Sequence, residues 1–262
     1  MLVARILSAL VMAPPALAAV WFGGYAFAAL VVIAVAIMCW EWDTIVTKRF
    51  GWSGRLSALG AVIAAGLAVE QPMAALVVVL GSAVAAAAVA PGQGERPRLW
   101  AGLGPLYAGL PAVALIWLRG DGVVGRETMI WLMLLVWATD IGAYAAGRTI
   151  GGPLLLPAVS PKKTWAGLIG GMVSAGLVGL ATGVVLALPH PLALAVGSGV
   201  LAVVAQAGDL MESWIKRRWN VKDSSNIIPG HGGVLDRVDG LLAAALAVAF
   251  ASLASGMAVL QW

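Results

Sequence analysis

The chain has 262 residues, 61% of them hydrophobic and 11% charged, with mean hydropathy +0.96 and a formal net charge of +4. Ordinary globular chains carry about 25% charge and about 45–50% apolar residues, so a water-soluble domain, a disordered chain and a disulfide scaffold are excluded; a polytopic helical membrane protein is what the composition leaves. A single cysteine, Cys39, and two histidines, His190 and His231, argue against Cys-based zinc or iron–sulfur sites and against a His-rich metal site.

A bilayer core about 30 Å thick takes about 20 apolar residues per helix. Apolar runs of roughly that length predict about nine transmembrane spans, near 6–22, 24–46, 55–70, 72–90, 98–118, 127–147, 164–188, 192–215 and 234–259. The runs are continuous rather than alternating, which excludes a β-barrel and makes the expected fold all-α. Pro14-Pro15 interrupt the first span, and Ala16-Leu17-Ala18 resembles a signal-peptide cleavage site, but a retained first helix is the expectation. The third span is short, and Glu70-Gln71-Pro72 reads as the turn after it.

Nine spans place Arg5, Lys48, Arg49, Arg55, Arg96, Arg98, Arg148, Lys162, Lys163, Lys216, Arg217, Arg218, Lys222 and Arg237 on one side. Only Arg119 and Arg126, of 16 basic residues, fall on the other. The rich side is expected to face the cytoplasm, with the N-terminus inside and the C-terminus outside. The pI of about 9.6 then reflects topology, and no nucleic-acid partner is needed to explain it.

The acidic residues carry the chemistry. Asp140 sits within an apolar span, Asp209 and Glu212 near the cytoplasmic end of another, and Asp223, Asp236 and Asp239 follow closely. A carboxylate in a membrane helix costs about 2.5–3.5 kcal/mol on insertion scales, so such groups pair with a cation, face a polar cavity or bind an ion. Asp209, Glu212, Ser213 and Lys216 fall at i, i+3, i+4 and i+7, on one helix face. Asp140, Tyr144 and Arg148 form a second polar stripe, with Gly142 and Gly147 permitting close helix approach. Asp236 and Asp239 open the last helix at i, i+3. Carboxylates from at least two helices can thus converge, as Mg²⁺ requires when phosphates supply its other ligands.

Two loops suit anions. Ser160-Pro161-Lys162-Lys163-Thr164 reads as a helix N-terminus, with Ser160 as cap and Pro161 in the first helical position. Such an end offers free N–H groups and a positive dipole beside two lysines. Pro229-Gly230-His231-Gly232-Gly233 suits tight turns and close approach of main-chain N–H groups to phosphate. A polyanionic substrate bound with Mg²⁺ is the expectation. No GxxxxGK[ST] motif is present, which disfavours a P-loop ATPase.

Ser213-Trp214-Ile215-Lys216-Arg217, Lys222-Asp223, Pro229-Gly230-His231-Gly232-Gly233 and Asp236-Arg237-Val238-Asp239 together resemble the signature of phosphatidate cytidylyltransferases. The resemblance extends through Gly208-Asp209-Leu210, Ser160 to Thr164, Asp140, Ala143-Tyr144 and Gly147. It is looser at Arg5, Trp40-Glu41-Trp42 and Tyr107-Ala108-Gly109, and Ala166 stands where the family often has Glu. The resemblance implies the reaction of CTP with phosphatidate to give CDP-diacylglycerol and pyrophosphate at a bacterial inner membrane. It implies Asp209 and Asp236 as Mg²⁺ ligands, with Asp223 and Asp239 as further ligands or orienters. Lys162, Lys163, Lys216, Arg217, Lys222 and Arg237 would clamp phosphates. Ser213, His231, Gly232 and Gly233 would contact substrate or order the loop, with an acid–base role as the alternative for His231, and Ser160, Thr164, Asp140 and Tyr144 would line the substrate site.

Residues 121–262 would form the catalytic transmembrane region and 1–120 the N-terminal transmembrane helices. An ion- or proton-coupled transporter is the main rival, since intramembrane acids also mark ion paths, but it would place them at the midplane with inverted repeats. The D-G-x-x-A-R pattern of CDP-alcohol phosphotransferases is not found. A monovalent cation beside Mg²⁺ and a homodimer stay open, because small residues serve packing within a chain as well as between chains.

Overall fold

The computed structural model describes residues 2–91, 96–120 and 122–261, with side chains from residue 11 onward; the side chain of Arg5 lies outside the described part. Nine α-helices occur among the described residues: α1 (Leu2–Phe22), α2 (Gly24–Thr47), α3 (Trp52–Leu67), α4 (Pro72–Val89), α5 (Pro97–Arg119), α6 (Val123–Thr149), α7 (Trp165–Val185), α8 (Pro191–Arg218) and α9 (Leu235–Ser255). Seven of them, α2 and α4 to α9, are long and apolar enough to cross a membrane. The 16 residues of α3 fall short, and α1 runs on through Pro14 and Pro15. The chain is a polytopic all-α membrane protein, with one small β-hairpin among the described residues. It divides into two compact units, Met1–Asp121 with Arg218–Val238, and Gly122–Arg217 with Asp239–Trp262.

In the first unit α2, α3, α4 and α5 pack on one another, and α1 packs on α2. Their seams are made of small residues, with Ala61, Ala64, Ala75, Ala86 and Ala108 fully buried. Between membrane helices close van der Waals packing replaces the hydrophobic effect, so small side chains are what let backbones approach. Polar groups close the helix ends. Asp43, near the end of α2, accepts from the Gly51 amide at 2.9 Å and the Ser53 hydroxyl at 2.8 Å, fixing the tight turn into α3. Buried Arg119, ending α5, donates to the carbonyls of Val20 (2.5 Å) and Trp21 (3.0 Å) at the C-terminal end of α1, where the helix dipole favours a cation.

In the second unit α6 and α7 make the closest pair. A side chain at Gly142 would overlap Ser174 and the Gly170 carbonyl, so the glycine is what admits α7. Trp131 of α6 donates to the Ser198 hydroxyl of α8 at 3.1 Å. Gly208 of α8 lies against Ala243 and the Asp239 carbonyl of α9, with room for a hydrogen but not for a methyl group. That contact packs α8 on α9 at the residue before Asp209.

The segment from Ser160 corrects one expectation. Residues Ser160–Thr164 form strand β2, paired antiparallel with β1 (Leu154–Leu156) through Leu156↔Ser160 and Leu154↔Thr164. Helix α7 begins only at Trp165, and its cap is Thr164, not Ser160. Thr164 is extended (φ −118°, ψ 160°), and its hydroxyl accepts from the Gly167 amide at 3.0 Å. Pairing with β1 holds Ser160 and Thr164 in a strand rather than a helix, and a β-branched residue with a hydroxyl suits both the end of a strand and the cap.

Candidate active site

In the first unit the chain after α8 folds into a loop over Lys222–Val234. The Ile228 amide donates to the Gly232 carbonyl and the His231 amide to the Ile228 carbonyl, both at 2.9 Å, making a tight turn. Gly230 (φ +77°) and Gly232 (φ +84°) occupy the left-handed region, where a side chain would be strained. The turn borders a pocket of about 520 Å³ with Lys222, Asp223, Asn226, His231 and Arg237 in its wall. Five of the expected site residues (Lys222, Asp223, His231, Gly232 and Arg237) therefore surround one polar cavity.

Two carboxylates brace this loop. One oxygen of Asp236, in the first turn of α9, accepts from the Ser224 amide (2.8 Å), the Ser224 hydroxyl (2.7 Å) and the Gly233 amide (2.8 Å). Glu41 of α2, wholly buried, accepts from the Ser225 hydroxyl at 2.6 Å and the Val234 amide at 2.9 Å through one oxygen. Its other oxygen accepts from the Leu235 amide at 2.8 Å. A methyl group at Gly233 would overlap both Ser224 and Glu41.

In the second unit the other acids gather. Lys163 of β2 stands 2.7 Å from one oxygen of Asp209, and Ser213 donates to the other at 3.3 Å. One turn on, buried Lys216 bonds buried Glu212 at 3.0 Å. Asp239 is half-buried and accepts from the Gly240 amide at 2.7 Å. It lies in the repulsive field of Asp209 and Asp140 and the attractive field of Lys216. Carboxylates from α6 and α8 thus act on the one from α9 within this unit. Tyr144 and Arg148 continue the Asp140 stripe, the guanidinium donating to the phenol oxygen at 2.9 Å. Ser160 is half-buried, Lys162 and Arg217 are exposed, and Thr164 is taken up by its cap. The expected ligand pair, Asp209 and Asp236, falls one in each unit.

Among the described residues no group of three His, Cys, Asp or Glu side chains could hold a metal ion unaided. Asp209 and Asp239 nevertheless fit Mg²⁺. Both offer hard oxygens, and their mutual repulsion would be relieved by a cation. An ion that keeps several non-protein ligands needs only one or two carboxylates beside substrate phosphates.

A family model for the cytidylyltransferase family matches residues 3–254. The chain belongs to the cytidylyltransferase family. Proteins of Brucella suis and Brucella melitensis, both called phosphatidate cytidylyltransferase, are 39% identical to it over 92% of this chain and 89% of their own length. A protein of the same name from Rickettsia bellii is 41% identical over 53% of this chain and 63% of its own.

Sequence reasoning gave Glu41 no role in this cytidylyltransferase. Its signal was available: a carboxylate flanked by Trp40 and Trp42 in an apolar run is as anomalous as Asp140. Asn226 in the pocket wall carried no signal, since an asparagine in a polar loop is unremarkable.

Proposed function

We propose that the chain transfers a cytidylyl group from CTP to phosphatidate, releasing pyrophosphate and forming CDP-diacylglycerol, on the cytoplasmic side of a bacterial inner membrane. The observation that carries the reading is the polar pocket built by the signature loop, where Lys222, His231 and Arg237 line a space suited to phosphates. The names of relatives similar over nine-tenths of the chain support the choice of substrates. The excess of Lys and Arg on one side of the predicted spans supports the orientation.

An oxygen of the lipid phosphate attacks the α-phosphorus of CTP in line; the bond from that phosphorus to the bridging oxygen breaks, and pyrophosphate leaves with the electron pair. No covalent intermediate with the protein is needed, so the protein's work is positioning and charge neutralisation. Lys222 and Arg237 attract the phosphate oxygens, and the turn at Gly230–Gly232 lets main-chain N–H groups approach them. His231 orients a phosphate from the pocket wall. Within the second unit Asp209 and Asp239 would hold Mg²⁺, which supplies neutralising positive charge when bound. Lys163, paired with Asp209, is a cation that phosphate can draw to itself. Ser213 orients Asp209, and Lys216 is kept by Glu212 as a fixed positive charge behind the carboxylates. Acyl chains stay in the bilayer while the head group reaches these polar residues.

The test is incubation of the purified chain with CTP, Mg²⁺ and phosphatidate. Pyrophosphate and CDP-diacylglycerol should appear in equal amounts, and EDTA should stop both. Absence of both products, with the chain folded and Mg²⁺ in excess, refutes the reading.

A further inference from the structure

We propose that Glu41 is a positioning residue, whose carboxylate reaches from α2 to fix the glycine–histidine loop and so sets the pocket that holds Lys222, His231 and Arg237. The proposal rests on the reading above for what the loop does, but not for what holds it. Glu41 is 0% exposed. No ion pair involves it among the described residues, unlike Asp209 and Glu212, which meet Lys163 and Lys216. Burying a carboxylate without a cation is costly unless hydrogen bonds replace the lost water. Here every replacement comes from one place: the Ser225 hydroxyl and the Val234 and Leu235 amides, which lie 184 to 194 residues away in sequence.

Helix α2 does not need this carboxylate for its own packing. The neighbours of Glu41 in the packed face, Val35, Met38 and Trp42, are buried apolar residues, and the helix's other buried acid, Asp43, serves the turn into α3, so an apolar side chain would serve at position 41. The loop does need it. Val234 and Leu235 precede and open α9, so their N–H groups are among those a helix N-terminus leaves without an internal acceptor, and the end of the dipole favours a negative group there. Asp236 braces the same loop from its own helix, which leaves Glu41 as the brace from outside it. Gly233 completes the argument, because any side chain there would collide with the Glu41 oxygen.

The test uses the full chain in detergent and two variants, Glu41→Gln and Ser225→Ala. Hydrogen exchange of residues 224–235 should speed up about tenfold in Glu41→Gln, while exchange in α4 is unchanged. The KM of at least one substrate should rise about tenfold, because a loop that samples wrong positions binds phosphate less often. A purely structural carboxylate would lower the folded fraction, and hence the maximal rate, with KM unmoved. Unchanged exchange in the loop, or a lower maximal rate at constant KM, overturns the proposal. If Glu41→Gln does not fold, Ser225→Ala decides by the same two readings, with expected changes of about threefold since one of three bonds is removed. A wild-type chain that makes no CDP-diacylglycerol would sink the functional reading alone, and the exchange result would still decide whether Glu41 holds the loop.

Discussion

The ammonium of Lys163 stands 2.7 Å from a carboxylate oxygen of Asp209, tying the hairpin before α7 to the polar face of α8. The pair is partly solvent-accessible, at 21% and 33% for the two side chains. It therefore adds little stability, about 0–1 kcal/mol for exposed pairs of this kind, and its value lies in placing charge. Asp209→Asn should lower pyrophosphate release about a hundredfold or more with the melting temperature nearly unchanged. Lys162→Ala combined with Lys163→Ala should instead raise the apparent KM for CTP or lipid. Normal turnover of Asp209→Asn, or an unaltered KM in the lysine variant, would remove these residues from the mechanism.

Asp236 makes a different prediction, because a single oxygen of its side chain serves three donors. In Asp236→Asn the charge is lost, and an amide in the wrong orientation would oppose donor to donor. The expected cost is about 1–3 kcal/mol of stability, read from thermal unfolding in detergent, together with loss of activity. An active, equally stable Asp236→Asn protein would show that the loop does not depend on this brace.

Gly142 provides a control that separates packing from chemistry. Gly142→Leu would force α6 away from Ser174 and Gly170 of α7, and overpacking of this kind costs about 1–3 kcal/mol. The variant should melt earlier and yield less enzyme, yet the surviving fraction should keep its KM for both substrates. A changed KM would mean that the α6–α7 seam shapes the site directly.

Orientation can be read with single cysteines, since Cys39 is buried and should not react. Asn226→Cys should label with a membrane-impermeant maleimide in inverted vesicles only, and His190→Cys in right-side-out cells only. The reverse pattern would overturn the cytoplasmic assignment drawn from the Lys and Arg distribution.

The helical architecture was legible because apolar runs of membrane length have few alternatives. The stripes Asp140–Tyr144–Arg148 and Asp209–Glu212–Ser213–Lys216 were legible because helical spacing alone puts such residues on one face. The pocket turn was foreshadowed by its glycines, two of which do adopt left-handed conformations. The helix start at Ser160 misled, because a Ser-Pro cap and an extended strand before a Thr cap look alike until the partner strand is known. Lys216 showed the same limit: its spacing put it on the polar face, but not within 3.0 Å of a buried Glu212.

Composition and periodicity by themselves determined a membrane-embedded helical chain with acids and bases concentrated around its later helices. They could do so because those properties depend on neighbours along the chain. Tertiary structure decided which charges neutralise each other and which hold a loop. Glu41 and Leu235 meet across 194 residues, and Lys163 and Asp209 across the whole of α7, and no local rule encodes those encounters. Such contacts follow from how whole helices pack, and there the small residues at the seams, more than the charged ones, set the distances.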